Sequence, residues 1–338
     1  MKSIVIESPG KVAIKETPMV EPGKGEALLK MKYGGICGSD LNSYRGASSY
    51  VSYPRIPGHE FSAEIVEIEK NSLGLEKGML VTGNPYFNCG ACYSCRRGLL
   101  NCCTSNQTMG VQREGAFSEY FTMPLERLYP GRGLDTKTLA LIEPFCISYH
   151  GVGQGNIQKG DRVLIVGAGT IGILAALAAK LRGAKVWMTD ISEQKLAMAR
   201  EFGIDGTFVN TSAEDFEKGV NENTGGDGFD AAIEAVGLPG TFQNCIDAAA
   251  FGGRVVLIGV GKKNLDFNFT LLQKKELRVA GSRNALKKDF IELINLVKEE
   301  HIPLDRIITN TYAFEDAPRA FAEFDKNAAS MLKVVLEF

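Results

Sequence analysis

Four cysteines lie close together in the chain as Cys89, Cys92, Cys95 and Cys103, a C-x2-C-x2-C-x7-C run. Four thiolates within fifteen residues can close a tetrahedron around one zinc ion. Cys102 adjoins Cys103, so the spacing leaves open which of the two is the fourth ligand. An iron–sulfur cluster is the alternative, but the Cys-Pro end of the ferredoxin pattern is absent, and a nucleic-acid zinc finger would need a basic surface around it. The run therefore predicts a structural zinc site.

A second set of candidate ligands is dispersed: Cys37 in GGICGSD, His59 and Glu60 in PGHEF, and Glu143 in LIEPF. One thiolate, one imidazole and one or two carboxylates suit a zinc ion that keeps a coordination position open for substrate. Each residue also has an ordinary structural interpretation, because a buried cysteine is usually part of the core and a histidine before a glutamate often lies in a surface turn. Sequence spacing alone does not bring them together.

A glycine fingerprint begins at Gly167 and runs through Gly169, Thr170, Ile171 and Gly172, between the apolar segment RVLIV and the helical segment ILAALAAKL. Its glycines let the backbone approach a pyrophosphate, which the N-terminus of the helix stabilises through free N–H groups. Asp190 follows at the end of the next predicted strand, 18 positions beyond the last glycine. A carboxylate there binds ribose hydroxyls and repels a 2′-phosphate, so the pattern predicts NAD rather than NADP.

Two patterns of secondary structure place these motifs. Up to about residue 130, short β-rich segments alternate with Gly and Pro turns and predict a partly barrel-like domain. Beyond the helical segment near Thr136, strands and helices alternate to about residue 280, which predicts a parallel sheet with strands at 163–166, 185–189, 207–209, 229–233, 255–258 and 277–280. Ser192 and Ser212 are expected helix N-caps. The tail predicts a helix over 289–300 and a closing strand over 332–338, which we place on the first domain.

Composition excludes several classes of protein. The 338 residues carry 38 Lys and Arg against 40 Asp and Glu, a net charge of −2 without a block of like charge, which argues against nucleic-acid and membrane-surface partners. The N-terminus lacks the apolar core of a secretory signal, so a cytoplasmic location is expected, with the cysteines as thiols or metal ligands. The longest uncharged stretch, 163–179, is too short for a membrane helix.

Taken together, the GICGSD and GHE segments, the four-cysteine run, the EP segment and the glycine fingerprint resemble those of the zinc-dependent medium-chain dehydrogenases, in family order over nearly the whole chain. The resemblance implies an α/β protein. A GroES-like β-rich catalytic domain would span 1–145 and 284–338 with a structural zinc lobe at about 85–105, and a Rossmann doubly wound parallel-sheet domain that binds NAD would span 146–283. Within the family, the sequence is most similar to the sorbitol, threonine and sugar-acid dehydrogenase branch.

The resemblance also assigns roles to single residues. It implies Cys37 and His59 as ligands of the catalytic zinc, with Glu60 and Glu143 competing for the third protein position. Zinc would act as a Lewis acid on the substrate alcohol, Ser39 would pass on its proton and Asp40 would orient His59. Asn42 stands where many relatives have a relay histidine and does not titrate. Further cofactor-binding residues are expected at Ile258, Gly259, Val260 and Ser282.

Two arginines are candidates for substrate binding. Arg283 in AGSRNA resembles an arginine that polyol dehydrogenases use near the substrate, and Arg113 is a weaker candidate. A guanidinium binds a carboxylate or several hydroxyls, although pairing with a protein carboxylate is an equally good interpretation. We therefore expect NAD- and zinc-dependent oxidation of a sugar acid, polyol or cyclitol, with L-gulonate or L-galactonate-type acids ahead. L-threonine and sorbitol-type dehydrogenases, and a non-catalytic zinc- and nucleotide-binding protein, are the alternatives. The resemblance implies a homo-oligomer, a dimer or tetramer.

Overall fold

The computed structural model describes residues 1–261 and 263–338. Its strands, in chain order, are β1 Lys2–Ser8, β2 Lys11–Glu16, β3 Glu26–Ile36, β4 Glu60–Ile68, β5 Leu80–Gly83, β6 Tyr86–Phe87, β7 Gln107–Thr108, β8 Tyr120–Pro124, β9 Leu128–Pro130, β10 Arg162–Val166, β11 Lys185–Asp190, β12 Gly206–Val209, β13 Phe229–Glu234, β14 Ala249–Leu257, β15 Arg278–Gly281, β16 Ile308–Ala313 and β17 Lys333–Glu337. Its α-helices are α1 Gly38–Tyr44, α2 Tyr93–Arg96, α3 Thr136–Ala140, α4 Ile142–Gln154, α5 Thr170–Leu181, α6 Glu193–Arg200, α7 Ala213–Thr224, α8 Pro239–Ala248, α9 Thr270–Lys274, α10 Lys287–Glu299 and α11 Ala317–Asn327.

The first of two compact units comprises Met1–Glu143 and Ala285–Phe338. Its main sheet has the order β16-β17-β3-β4-β5-β9, and β8 also pairs with β3. The long strand β3 is antiparallel to β4 and to β17, so the C-terminal strand completes a sheet that begins near the N-terminus. The core packs on alternate residues of these strands, such as Leu29 and Met31 on β3 and Phe61 and Ala63 on β4, as expected for strands with one buried face.

The second unit, Pro144–Asn284, contains a parallel sheet. In the described part of the chain its order is β12-β11-β10-β13-β14-β15, with every pairing parallel. Numbered from β10, this is the 3-2-1-4-5-6 order of the Rossmann fold. Central strands such as β10 are apolar and almost wholly buried, because helices cover both faces of the sheet. The predicted α/β fold with a doubly wound parallel sheet is confirmed.

Local predictions from the sequence also hold in most places. The side chains of Ser192 and Ser212 accept backbone N–H groups at the starts of α6 and α7, as predicted for N-caps. One prediction was too coarse: the helical spacing that begins near Thr136 corresponds to two helices, α3 and α4, because α3 ends at Ala140 and Leu141 caps it. The strand predicted at 255–258 overlaps the last three residues of the longer β14, which begins at Ala249 and ends at Leu257.

Among residues 1–261 and 263–338, no helix has both the length and the apolar composition needed to cross a membrane.

Candidate active site

The predicted catalytic metal ligands come from the adjoining ends of two paired strands. Cys37 directly follows β3, and Glu60 is the first residue of β4, with Gly35 opposite Glu60 in the antiparallel register. This pairing places the ligand atoms of Cys37, His59 and Glu60 within 4.8 Å of one another. A Cβ at Gly35 would lie 2.0 Å from Oε2 of Glu60, so only glycine leaves room for the carboxylate there.

This cluster has the chemistry of a metal site. His59 and Glu60 are 5% and 1% exposed, and Nδ1 of His59 has no hydrogen-bond partner among the described residues. A buried polar atom left unpaired is costly unless something else satisfies the group, and a thiol, an imidazole and a carboxylate are the ligand types zinc takes in proteins. Burial by itself would lower the pKa of His59, but the charges of Asp40 and Cys37 raise it well above its usual range.

Glu60 has a cationic partner that the sequence analysis missed. Both carboxylate oxygens lie 2.7 Å from Nζ of Lys333, which is 4% exposed and comes from β17. Burial tends to lower the pKa of Lys333, but the charge of Glu60 raises it. The sequence predicted the closing strand that carries Lys333, but a contact between residues 273 positions apart is not readable from the pattern.

Glu143, the other carboxylate candidate, sits at the start of α4 and is 2% exposed. Its Oε1 accepts a hydrogen bond from the phenol of Tyr86, a residue that the sequence analysis also missed. Burial raises the pKa of Glu143 to about 7. The structure therefore places Glu60 with Cys37 and His59 in the metal-type cluster, and pairs Glu143 with a phenol.

Helix α1 carries the predicted catalytic residues Ser39, Asp40 and Asn42. Oδ2 of Asp40 accepts the backbone N–H of Cys37 at 2.9 Å, and Oδ1 accepts that of Gly58 at 3.3 Å. Its Oδ1 lies 3.9 Å from Nδ1 of His59, which is ion-pair rather than hydrogen-bond distance. Asp40 is fully buried, and burial raises its pKa. The carboxylate thus ties together both segments that carry candidate ligands. Ser39 and Asn42 are half-buried, three positions apart on one side of the helix.

The four-cysteine lobe is a separate cluster. The Sγ atoms of Cys89, Cys92, Cys95 and Cys103 all lie within 4.8 Å of one another, so Cys103 rather than Cys102 joins the set. Backbone N–H groups, that of Cys95 foremost, lower the pKa of Cys92 to about 5, whereas burial raises that of Cys95 to about 11. Four closely spaced sulfurs with backbone donors are the arrangement of a closed structural zinc site.

The glycine fingerprint forms the turn between β10 and α5. Gly167 has a positive φ of 108°, and a Cβ at Gly172 would lie 1.8 Å from the carbonyl oxygen of Gly167. Gly169 is the N-cap of α5, followed by Thr170 and Ile171 in its first turn. These residues lie at the carboxyl end of a central parallel strand, where doubly wound sheets bind their ligands.

Asp190 stands beside this turn at the end of β11. Its Oδ2 accepts the N–H of Ala168 at 2.7 Å, and its Oδ1 accepts that of Ser192 at 2.9 Å. The other predicted cofactor residues follow strands at the same edge of the sheet: Ile258, Gly259 and Val260 follow β14, and Ser282 follows β15. Val260 is 85% exposed, and the buried Oγ of Ser282 has no hydrogen-bond partner among the described residues. An orphaned hydroxyl at this edge fits a site that a ligand completes.

The sequence analysis did not identify Glu234, a buried carboxylate at the end of β13. Its Oε1 accepts the N–H groups of Val236 at 2.9 Å and Gly237 at 2.8 Å, and the hydroxyl of Thr241 at 2.6 Å. Glu234 thus holds the loop that follows β13. Strand β13 is the neighbour of β10, and the chain order of the strands reverses between these two strands. Its only signal in the sequence was a charged residue at the end of a buried strand.

Comparison with known proteins identifies the family. A family model described as a zinc-binding dehydrogenase matches residues 170–299, and one described as an alcohol dehydrogenase GroES-like domain matches residues 23–132. The chain is 36% identical over 341 residues to the L-galactonate-5-dehydrogenase of Escherichia coli K12, covering 100% of this chain and 99% of the relative. The chain belongs to the zinc-containing medium-chain dehydrogenase family.

Two further relatives agree with this assignment. The sorbitol dehydrogenase of Halalkalibacterium halodurans is 33% identical over 332 residues, covering 97% of this chain and 96% of the relative. A crystal structure named as a short chain alcohol dehydrogenase (rspB) from E. coli CFT073, complexed with NADH, is 31% identical with a TM-score of 0.91, covering 100% of this chain and 99% of that one. The resemblance predicted from the sequence is confirmed, and the protein is a zinc-type dehydrogenase acting on CH–OH groups.

In this zinc-type dehydrogenase, the two arginines predicted to bind substrate have different surroundings. Arg283 is exposed and follows β15, directly after Ser282. Arg113 is also exposed, but its guanidinium carbon lies 3.9 Å from the centroid of the Phe87 ring, a cation–π contact. His150 is buried on α4, with Nε2 at 3.3 Å from Nε2 of Gln154.

Proposed function

We propose that the protein oxidises a secondary alcohol of a sugar acid with NAD as hydride acceptor, as an L-galactonate or L-gulonate-type 5-dehydrogenase. The observation that carries this proposal is the 36% identity to an L-galactonate-5-dehydrogenase over the whole of both chains. The intact cluster of Cys37, His59 and Glu60 supports catalysis of this kind. The family resemblance supports assembly as a homodimer or homotetramer.

Cys37, His59 and Glu60 would hold the catalytic zinc, which when bound supplies a Lewis acid for the substrate oxygen. Ser39, on the helix that Cys37 caps, would accept a hydrogen bond from the substrate hydroxyl and pass on its proton. Asp40 holds the Cys37 and Gly58 backbone in place through two hydrogen bonds. Asn42 hydrogen-bonds without titrating, so the proton leaves Ser39 through water or a cofactor hydroxyl.

NAD is the proposed cofactor because Asp190 stands at the glycine turn. Its carboxylate would accept hydrogen bonds from the ribose hydroxyls and repel a 2′-phosphate. Ser282 would satisfy its orphaned Oγ on the cofactor or on a water beside it, and the exposed Val260 would give apolar contact.

Arg283 is the proposed recognition group for the acid. A guanidinium binds a carboxylate in a bidentate fork, which a neutral polyol does not match. The exposed position of Arg283 at the carboxyl end of β15 lies on the ligand-binding edge of the parallel sheet. Arg113, stacked on Phe87, is the weaker candidate.

The test is NADH formation, followed by absorbance, with L-galactonate, L-gulonate, sorbitol, an inositol, L-threonine and a simple alcohol. We expect turnover of the hexonates, abolished by a zinc chelator and restored by zinc. Arg283→Ala should raise KM for hexonates about tenfold or more and leave sorbitol unaffected, with Arg278→Ala, another exposed arginine, on β15, as the matched control. Equal losses for acid and neutral substrates would refute carboxylate recognition.

A sorbitol-type polyol dehydrogenase is the second candidate, favoured by the 33% identity to a sorbitol dehydrogenase. Faster turnover of sorbitol than of any hexonate would establish it in place of the first. Turnover of L-threonine at a comparable rate would instead favour a threonine dehydrogenase, against which Asn42 argues.

A further inference from the structure

The two buried carboxylates predicted as candidate metal ligands, Glu60 and Glu143, have partners of different kinds. Glu60 is paired through both oxygens with the ammonium group of Lys333. Glu143 accepts instead from a neutral donor, the phenol of Tyr86, and both residues of that pair are less than 10% exposed. The cation neutralises the charge of Glu60, whereas the neutral phenol orients Glu143 without cancelling its charge.

Tyr86 is itself held from both sides. Its backbone N–H donates to Oδ1 of Asn84 at 2.9 Å, and its carbonyl accepts from Nη1 of Arg127 at 2.6 Å. The same guanidinium donates to Oδ1 of Asn88 at 2.9 Å and stacks over the ring of Phe87, with its central carbon 4.4 Å from the centroid. These contacts fix the backbone of Tyr86. A side chain on a fixed backbone can hold a neighbouring side chain in one orientation.

The pair of Tyr86 and Glu143 lies at the end of β4 that carries the ligands. The hydroxyl of Thr82, four positions before Tyr86, donates to the carbonyl of Phe61 at 2.8 Å, and Phe61 directly follows Glu60. A buried carboxylate beside Glu60 needs a donor, since like charges in a low-dielectric site repel. Loss of the phenol would remove this donor and free the Glu143 carboxylate to rotate within the site.

We propose that Tyr86 is a positioning residue of the catalytic centre, whose phenol fixes the orientation of the Glu143 carboxylate beside the metal ligands. Groups that orient the surroundings of a metal in this way typically change metal affinity or activity by about 10- to 100-fold when removed. The inference rests on the proposed function only in taking zinc as the metal, and it does not depend on the substrate.

The test compares Tyr86→Phe with Tyr312→Phe. Tyr312 is a matched control because it is also buried in the first unit and its phenol also donates to a carboxylate, that of Glu323 on α11. Each variant is prepared with Co²⁺ in place of the catalytic zinc, and its visible absorption spectrum is recorded. Release of zinc from the zinc-loaded forms is then followed with a metallochromic chelator. Cys37→Ser lacks a ligand of the catalytic zinc, so its release curve identifies the zinc that comes from the four-cysteine lobe.

We expect Tyr86→Phe to shift the cobalt absorption bands, to speed release of the catalytic zinc about tenfold or more, and to lower kcat more than it changes KM. Tyr312→Phe should lower thermal stability and leave the spectrum and the release rate at their wild-type values. In a Glu143→Gln background, Tyr86→Phe should add little further change, because the two side chains act as a unit.

A cobalt spectrum and a release rate for Tyr86→Phe that match those of Tyr312→Phe would overturn the proposal. If Tyr86→Phe does not fold, Asn84→Ala replaces it, since this change frees only the backbone of Tyr86 and should shift the same bands by a smaller amount. No shift with Asn84→Ala would also overturn it. A cobalt shift in a protein that turns over no substrate on the panel would uphold the role of Tyr86 and refute the proposed function.

Discussion

At the scale of single residues, Asp190 should decide which nicotinamide cofactor the dehydrogenase uses. Asp190→Ser removes the carboxylate that would bind the ribose hydroxyls, and a hydrogen bond to a charged group contributes about 1.5–3 kcal/mol. At about 1.4 kcal/mol per factor of ten, the Kd for NAD should rise about tenfold to a hundredfold, while binding of NADP improves. Titration calorimetry with both cofactors measures this change.

Asp205→Ser is the matched control for that prediction. Asp205 also accepts a backbone N–H, that of Val186 at 2.8 Å, but near the start of β11 instead of its carboxyl end. This variant should lower stability and leave the ratio of NAD to NADP affinity unchanged. If both variants shift that ratio alike, the effect belongs to the strand and not to cofactor recognition by Asp190.

At the scale of elements, the turn between β10 and α5 predicts opposite behaviour for two of its glycines. Gly172→Ala would drive a Cβ to within 1.8 Å of the Gly167 carbonyl, so we expect it to distort the turn and to lower both the melting temperature and NAD binding. A Cβ at Gly169 meets nothing within 4 Å, and the φ of that residue is −79°.

Gly169→Ala should therefore fold with a nearly unchanged melting temperature and still weaken NAD binding, because its methyl group stands where the pyrophosphate approaches the backbone. Thermal unfolding together with cofactor titration separates the two variants. Normal NAD affinity in Gly169→Ala would show that the pyrophosphate does not approach at this point.

The hairpin of β1 and β2 predicts a pH dependence of stability. Hydrogen bonds with Lys11 and Lys15 lower the pKa of Glu7 to about 2, from a usual value of 4.5. A carboxyl group with a lower pKa in the folded state stabilises that state fully above its unfolded pKa, and this contribution disappears as the pH falls toward the folded pKa. The side chains of Lys11 and Lys15 are exposed, so added salt should weaken both ion pairs of Glu7.

Glu7→Gln should therefore lower the melting temperature at pH 7, with a difference from wild type that shrinks below about pH 4.5 and vanishes near pH 2. Melting curves recorded between pH 7 and pH 3 test this trend. Glu16→Gln, on the same hairpin, removes one negative charge and leaves both lysine pairs of Glu7 in place. A difference that is independent of pH would contradict the assignment.

At the scale of the whole molecule, the two metal clusters should be separable by metal content. Cys103→Ser removes a fully buried member of the four-cysteine cluster. The zinc content should therefore fall from about two ions per chain to about one. The melting temperature should also fall, because structural zinc contributes directly to folding. Atomic absorption and thermal unfolding give the two readings.

Cys102→Ser is the matched control, since the adjacent Cys102 lies outside the cluster. It should keep both ions and the wild-type melting temperature. If Cys102→Ser loses zinc and Cys103→Ser does not, the fourth ligand has been assigned to the wrong cysteine.

The features that were readable from the sequence are those whose partners lie nearby in the chain. The glycine turn is such a case, because strand, turn and helix follow one another directly and the glycine positions report the backbone conformation. The four-cysteine lobe is another, since fifteen residues leave a short loop few ways to arrange four sulfurs. The parallel strands were predicted from apolar runs, which the burial of both faces of the sheet requires.

Only the tertiary structure decided which distant side chains meet at the active site. Lys333 reaches Glu60 because β17 pairs with β3 and β3 with β4, a register that no local pattern encodes. Tyr86 on β6 reaches Glu143 on α4 across 57 positions, through packing of a helix against a strand that is distant in the chain. The sequence by itself determined the fold class and the chemical types of the candidate ligands, because periodicity and spacing act locally. The assignment of Glu60 to the metal-type cluster and of Glu143 to a phenol depended on strand register and side-chain direction, which are set by packing between segments far apart in the chain.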